Sequence, residues 1–444
     1  MIAVQPQAPQ GIATTEIHAE AFGATGDGAT DDTAALQKAI DATAARHGTL
    51  VLKPGTYLTG ALFLKSGMAL RLDKDVHLIG EQSLDAYPKQ PTRIAGIEMT
   101  WPSALLNVYR QSDVKIYGEG TIDGNGKVFW DLYRTRVKDY IPRGLRWAAD
   151  YDAQRPRLIQ VFDSARIEIG EGLNLQRSGF WTMQLVYSHD IKVSGVTIRN
   201  NIDGKGPSTD GIDIDSSHDV LVENADIDVN DDALCLKAGR DADGLRVNRP
   251  TERVLIRNST IRAGAAGVTF GSETSGTIHD VEAYGLHVVG PAGSGVLIKS
   301  AATRGGGVSD VYVHDIVVDQ ARTAIAIDLN WNPAYSYARL PDGLTTYPDY
   351  WKVLTTPVPH DQGLPHVHGF HIANLKAMAQ TAIDIDAYPD APVGDISLDR
   401  VDITAQKAGS IRYTRGVHIT DSVLRIADGS RVKVEESTDV TGLP

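Results

Sequence analysis

One amphipathic helix opens the hydrophobic pattern, and short alternating strands fill the rest. Leu36, Ala39, Ile40 and Thr43 recur at helical spacing behind Thr30, Asp31 and Asp32, whose side-chain oxygens suit an N-cap, and His47-Gly48 ends the run. Strand-like stretches follow at once: Thr49-Leu50-Val51-Leu52 stops at Lys53-Pro54-Gly55, and Ala61-Leu62-Phe63-Leu64 stops at Lys65-Ser66-Gly67. From there one motif recurs, a polar turn leading into an aliphatic-x-aliphatic triplet. It stands at Ser112-Asp113-Val114-Lys115-Ile116, Ser188-His189-Asp190-Ile191-Lys192-Val193, Ser217-His218-Asp219-Val220-Leu221-Val222 and Thr251-Glu252-Arg253-Val254-Leu255-Ile256. It continues at Ile278-His279-Asp280-Val281, Val308-Ser309-Asp310-Val311 and Gly394-Asp395-Ile396. The corner positions Asp190, Asp219, Arg253, Asp280 and Asp310 fall roughly 27 to 34 residues apart, a period that indicates a solenoid.

Strands of about three residues joined by turns this short predict an all-β fold, the stacked coils of a parallel β-helix, rather than a two-domain sandwich with longer antiparallel strands. The N-terminal helix then caps the open end of the coil stack. Residues 16–444 are read as one solenoid domain and residues 1–15 as a disordered or tag-like leader. Two segments break the rhythm, 126–157 and 329–365, and they hold Trp130, Trp147, Trp331 and Trp351, four of the six tryptophans. As long loops on the binding face they would offer aromatic platforms for sugar rings, although the same rings could equally pack the loops onto the solenoid.

Composition removes several classes of function. Lys+Arg 43 against Asp+Glu 56 gives a net charge of −13, which argues against wrapping nucleic acid. The lone Cys235 excludes a disulfide framework and a cysteine-based zinc site. No apolar run reaches the ~18 residues of a membrane span. Met1-Ile2-Ala3-Val4-Gln5-Pro6-Gln7 lacks the pattern of a secretory leader.

The chemistry concentrates at Ser208-Thr209-Asp210-Gly211-Ile212-Asp213-Ile214-Asp215 and Asn230-Asp231-Asp232. Asp210 precedes Asp231 by 21 residues and Asp232 by 22, about one coil, so stacking brings three carboxylates to one face. Like charges that close force at least one pKa upward, and a protonated carboxyl beside an ionised one is what glycoside hydrolysis uses. A solvated turn or a calcium site would also collect carboxylates.

These residues resemble glycoside hydrolase family 28, the polygalacturonases and their relatives. The resemblance runs from Phe22-Gly23-Ala24-Thr25-Gly26-Asp27-Gly28 through Gly118-Glu119-Gly120-Thr121-Ile122-Asp123-Gly124 and Arg155-Pro156-Arg157 to Lys299. It implies a right-handed parallel β-helix, an inverting single displacement and no cofactor or metal. It also implies that Asp232 is the general acid while Asp210 and Asp231 hold and deprotonate the attacking water. Two family positions differ: the Gly-His-Gly histidine is Ala265, and the arginine of Arg-Ile-Lys is Leu297, leaving Lys299 to grip a uronate. Arg240, Glu273, Trp331 and Tyr335 are further candidate substrate contacts, with Arg304 nearby.

The expectation is an enzyme that cleaves a galacturonate-containing pectic polysaccharide or oligosaccharide, exo-acting, monomeric, and secreted or periplasmic with its leader removed. A rhamnogalacturonan or branched pectic substrate is the nearest alternative. A calcium-dependent polysaccharide lyase and a non-catalytic carbohydrate-binding β-helix are the rivals from other classes.

Overall fold

A computed structural model describes residues 4–443, and the recurring turn motif is the device from which its coils are built. Asp113, Arg166, Asp190, Asp219, Arg253, Asp280, Asp310 and Asp395 all adopt the left-handed conformation, with φ between 49° and 61°. Asp enters this region at low cost because its short polar side chain bonds locally. The residues on either side of each corner pair in parallel register, as in His189↔His218 and Ile191↔Val220, while the corner residue stays out of the ladder. Where Arg replaces Asp it neutralises the carboxylate one coil below: Arg166 Nε lies 2.7 Å from Asp113 and Arg253 Nε 2.9 Å from Asp219. His189 and His218 stack ring on ring at 5.0 Å in the same column, each bonded to the neighbouring corner Asp. They are structural parts of the turn.

The strands form one parallel sheet wound into coils, with a single small antiparallel hairpin, Lys89–Ile94 with Ile97–Pro102, outside it among the described residues. Early strands run three to seven residues, the shortest of them at the expected length of about three. The later ones, Gly307–Asp328, His366–Asp386 and Val393–Arg412, continue through the corners, where single residues drop out of the ladder, and are 20 to 22 residues long. Alternation then sorts the side chains. Ile212, Ile214, Leu234 and Leu236 point into the stack and join one continuous aliphatic core. Between them Asp213, Asp215, Cys235 and Lys237 face outward, and that face carries the site.

The capping helix is Thr33–Ala44, with Leu36, Ala39, Ile40 and Thr43 buried against the first coils. Of the three expected cap residues, Asp31 accepts from the Thr33 N–H at 2.9 Å, whereas Asp32 turns back to accept from the N–H groups of Thr25 and Gly26. Thr30 bonds Asp27 instead.

Two expectations need correction. Residues 1–15 are not tag-like where they are described: residues 4–15 form a strap across successive coils. Val4 is buried beside Leu221 and Leu255, the Gln7 N–H donates to the Asp190 carboxylate at 2.9 Å, and the Gln10 N–H donates to that of Asp113 at 3.0 Å. The corner carboxylates that build the turns thus also catch the strap. Residues 1–3 of that expectation lie outside the described segment. The 126–157 insertion is largely helical, with Lys127–Tyr140 burying Phe129, Trp130, Tyr133 and Tyr140 along one face. Most aromatic rings of both insertions pack on each other. Trp147 and Trp351 meet edge to face at 4.9 Å, and Trp351 Nε1 and Tyr350 Oη both donate to Asp152. They clamp two walls together, leaving Trp331 as the half-buried tryptophan of the two segments that borders open space.

Candidate active site

The one-coil offset holds. The Gly211 N–H donates to the Asp232 carbonyl at 2.9 Å, which sets Asp210 beside Asp232 on adjacent rungs, with Asp231 half-buried next to them. The same 22-residue offset pairs Asp215 with Lys237 and Asp213 with Cys235. Asp213 and Lys237 are therefore part of the cluster, although the motif comparison had not singled them out. Their signal was in the sequence, as outward positions of strands whose register the acidic pair already fixed.

Two lysines organise the charge. Lys299 Nζ donates to Asp232 Oδ2 at 2.7 Å, and Thr269 donates to the other oxygen at 3.0 Å. Lys237 Nζ sits among three carboxylates, 3.6 Å from Asp210, 3.6 Å from Asp213 and 3.4 Å from Glu273, over the Trp181 ring. Burial would raise Asp232, but Lys299, Lys237 and the hydrogen bonds outweigh it and hold its carboxyl below the usual range. Asp231 goes the other way: burial, then the charge of Asp232, push it up to about 6. Asp210 and Asp213 are both raised, chiefly by burial. Neighbouring carboxyls thus split into one held ionised and one that keeps its proton up to about pH 6, the division that acid and base roles require.

Space around the cluster is of two kinds. A cavity of about 270 Å³ is walled by both insertions through Tyr133, Arg146, Trp331 and Tyr335, with Asp210, Asp231 and Asp232 on its floor. An open groove of about 660 Å³ runs on along the C-terminal coils past Ala265, Leu297 and Arg322. Asp231, Lys299 and Trp331 border both.

The other candidates fall out unequally. Glu273 lines the cavity; burial opposes its charge, but Lys237, Arg304 and Arg240 hold it down to about 2. Tyr335 donates to Glu273 at 3.1 Å and also lines the cavity. Trp331 covers Lys299 at 4.4 Å, a lid on the ammonium. Arg240 is a correction. It is fully buried behind the wall, bonded to Asp241, to the Tyr151 hydroxyl and to the carbonyls of Tyr335 and Ser336, with no surface toward the cavity. Its role is to tie the second insertion to the solenoid. Arg304 is likewise buried, against Asp241 and the Ser272 carbonyl. Arg155 stacks on Tyr133 and Phe180 and donates to the Pro207 carbonyl at 2.9 Å, bracing the loop that delivers Asp210.

Ligand atoms of Asp210, Asp232 and Cys235 lie within 4.8 Å of one another. Lys299 already occupies one oxygen of Asp232, and burial pushes the Cys235 thiol up. A divalent ion there would have to displace an ammonium and ionise a buried thiol.

Residues 51–339 match the family description "Glycosyl hydrolases family 28". The chain belongs to this family. A probable polygalacturonase of Vitis vinifera is 32% identical over 322 residues, covering 70% of this chain and 62% of the relative. The exo-poly-alpha-D-galacturonosidase of Dickeya chrysanthemi is 26% identical over 346 residues, covering 70% of this chain and 56% of the relative. The chain thus matches under two thirds of the length of either. Among solved structures, a hyperthermoactive exopolygalacturonase from Thermotoga maritima superposes with a TM-score of 0.80 at 24% identity, covering 95% of this chain and 94% of that one. The shared fold is the right-handed parallel β-helix. In this family 28 chain both departures from the family motifs line the larger groove rather than the cavity walled by the insertions. Ala265, whose N–H donates to the Asp231 carbonyl, and Leu297 give that largely polar groove two small or apolar positions.

Proposed function

We propose that the protein is an exo-acting, inverting glycoside hydrolase that removes a terminal unit from a galacturonate-containing pectic chain. One observation carries this reading: Asp231, the carboxyl raised to about 6, borders both a small cavity walled by the two insertions and a larger groove along the C-terminal coils. The cavity, at about 270 Å³, falls just below the usual range for ligand pockets and suits a single sugar ring, while the groove accommodates the rest of the chain. Aromatic insertions that wall off one end favour attack at a chain terminus. Asp231 is assigned as general acid. Asp232, kept ionised by Lys299, is the base that takes the proton of the attacking water, and Asp210 completes the cradle for that water. This exchanges the roles that the family resemblance gave to Asp231 and Asp232, because the nearer lysine sits on Asp232.

Family membership favours hydrolysis over calcium-dependent elimination, and a buried, charge-tuned acid cluster favours an enzyme over a binding module. A substrate in which uronates alternate with neutral sugars remains the second reading, favoured by Leu297 and Ala265 in place of charged groups. We place the enzyme, a monomer, where the polymer is, in the periplasm or outside the cell. Among the described residues no helix is long and apolar enough to cross a membrane.

The test is a panel of oligogalacturonides and rhamnogalacturonan fragments, with products sized and the new anomer followed by NMR from the first turnovers. The expected result is one small product released stepwise with inverted configuration. Random mid-chain scission would sink the exo assignment, retention would sink the mechanism, and unsaturated products would indicate a lyase.

A further inference from the structure

The open groove is bordered by three cations, and two are already spent. Lys299 lies 2.7 Å from Asp232, and Arg412 is forked onto Asp386 at 2.7 and 3.0 Å. The third, Arg322, is exposed at the groove's lip and makes no hydrogen bond or ion pair with the described residues. Its place follows from the register. Gly264, Ala292 and Ala321 stack in one row and Ala266, Ser294 and Thr323 in another, so Ala265, Gly293 and Arg322 stack between them. Arg322 therefore stands two rungs from Ala265, about 10 Å along the axis at the usual strand spacing. Ala265 itself is hydrogen-bonded to the Asp231 main chain. No side chain longer than a methyl group intervenes in that row. Asp328 on the same coil as Arg322, and Asp384 and Asp386 on the next, make the rest of the groove acidic, a stretch that repels a polyanion.

We propose that Arg322 binds the carboxylate of a uronate lying in the open groove next to the scissile bond, the charge-pairing task for which Leu297 has no group. The inference rests on the pectic reading above and assigns the acidic sugar to the groove side of Asp231. A planar guanidinium with all its donors free can take a carboxylate bidentately, which the engaged ammonium of Lys299 cannot do. The small residues at Ala265 and Gly293 keep the path between acid and guanidinium clear for the sugar.

The experiment compares wild type, Arg322→Gln and Arg322→Lys on trigalacturonate and on its fully methyl-esterified form. Wild type should show a KM about tenfold lower for the free acid, the range of a charge-assisted hydrogen bond at a solvent-facing lip, and that advantage should shrink as salt rises. Arg322→Gln should raise KM for the free acid about tenfold, change kcat little, and lose both the ester discrimination and the salt dependence. Arg322→Lys should recover part of each. Because the side chain has no partner in the protein, thermal stability should not move, so a folding defect cannot imitate the result. An active wild type with an unaltered KM in Arg322→Gln overturns the inference and leaves the pectic reading standing. A wild type that hydrolyses neither substrate overturns the pectic reading, and this inference with it.

Discussion

Asp231→Asn is expected to lose at least ~10²-fold in kcat, the loss typical of removing a positioned general acid, while substrate binding changes little because the amide keeps the carboxyl's shape. The argument lies in the charges on either side. Asp231 shares a peptide bond with Asp232, which Lys299 holds ionised, and that negative neighbour together with burial keeps the proton on Asp231 up to about pH 6. The active form has Asp231 protonated and Asp232 ionised. In wild type kcat should therefore fall as pH rises through about 6, where the acid loses its proton. On the acid side it should fall only below the ordinary carboxylate range, where Asp232, with its lowered pKa, takes one up. Asp231→Asn should abolish the alkaline limb. Asp232→Asn should also be slow, but it should keep that limb and move it to lower pH, since Asp231 has lost the anion that raised it. Near-wild-type turnover in Asp231→Asn, with the alkaline limb lost in Asp232→Asn instead, would return the acid role to Asp232.

What the sequence disclosed depended on how local the cause was. The coil repeat was readable because the left-handed corner favours short polar residues, so Asp190, Asp219, Asp280 and Asp310 recur there even though Arg253 takes one corner between them. The convergence of Asp210 with Asp232 was readable because an offset of 22 residues is about one coil, which stacking turns into adjacency. Roles within the pair were not readable. They are set by Lys299, 67 residues from Asp232, and by Lys237, and no spacing says which carboxylate a lysine will reach. Arg240 was misplaced because its partners, Tyr151 and the carbonyls of Tyr335 and Ser336, are supplied by the two irregular insertions. The N-terminal strap is held largely through its own main-chain N–H groups, which leave little trace in side-chain identity. The helical face of Lys127–Tyr140 was present in the sequence, yet its aromatic content invited a loop reading. Tertiary packing against Trp351 and its neighbours decides what those rings do.

Lys237→Met should destabilise the fold by roughly 3–5 kcal/mol, the cost typical of removing one partner from a buried ion cluster. The methionine fills the same channel over Trp181, so loss of packing is small and the charge effect dominates. Asp210, Asp213 and Glu273 would be left buried without their shared ammonium, and Asp213 has no hydrogen bond to fall back on among the described residues. The pH dependence has a definite sign. Lys237 lowers the folded-state pKa of Asp210 and Asp213, so its loss raises both further above their unfolded values. A carboxyl with a raised folded pKa stabilises the fold while protonated, below its unfolded value near 4, and that stability is lost as pH rises toward the folded value. Glu273 acts in the same direction, since removing Lys237 takes away the largest of the charges that hold its carboxyl low. The gap between variant and wild type should accordingly be small near pH 4 and widen toward pH 8, as read by thermal unfolding at matched ionic strength. Lys237→Arg, which restores a charge in a bulkier form, should recover part of the loss at pH 8. A stability difference of equal size at both pH values would mean that the lysine serves as filler in the wall, with the three carboxylates stabilised by Arg304, Lys299 and Tyr335 instead.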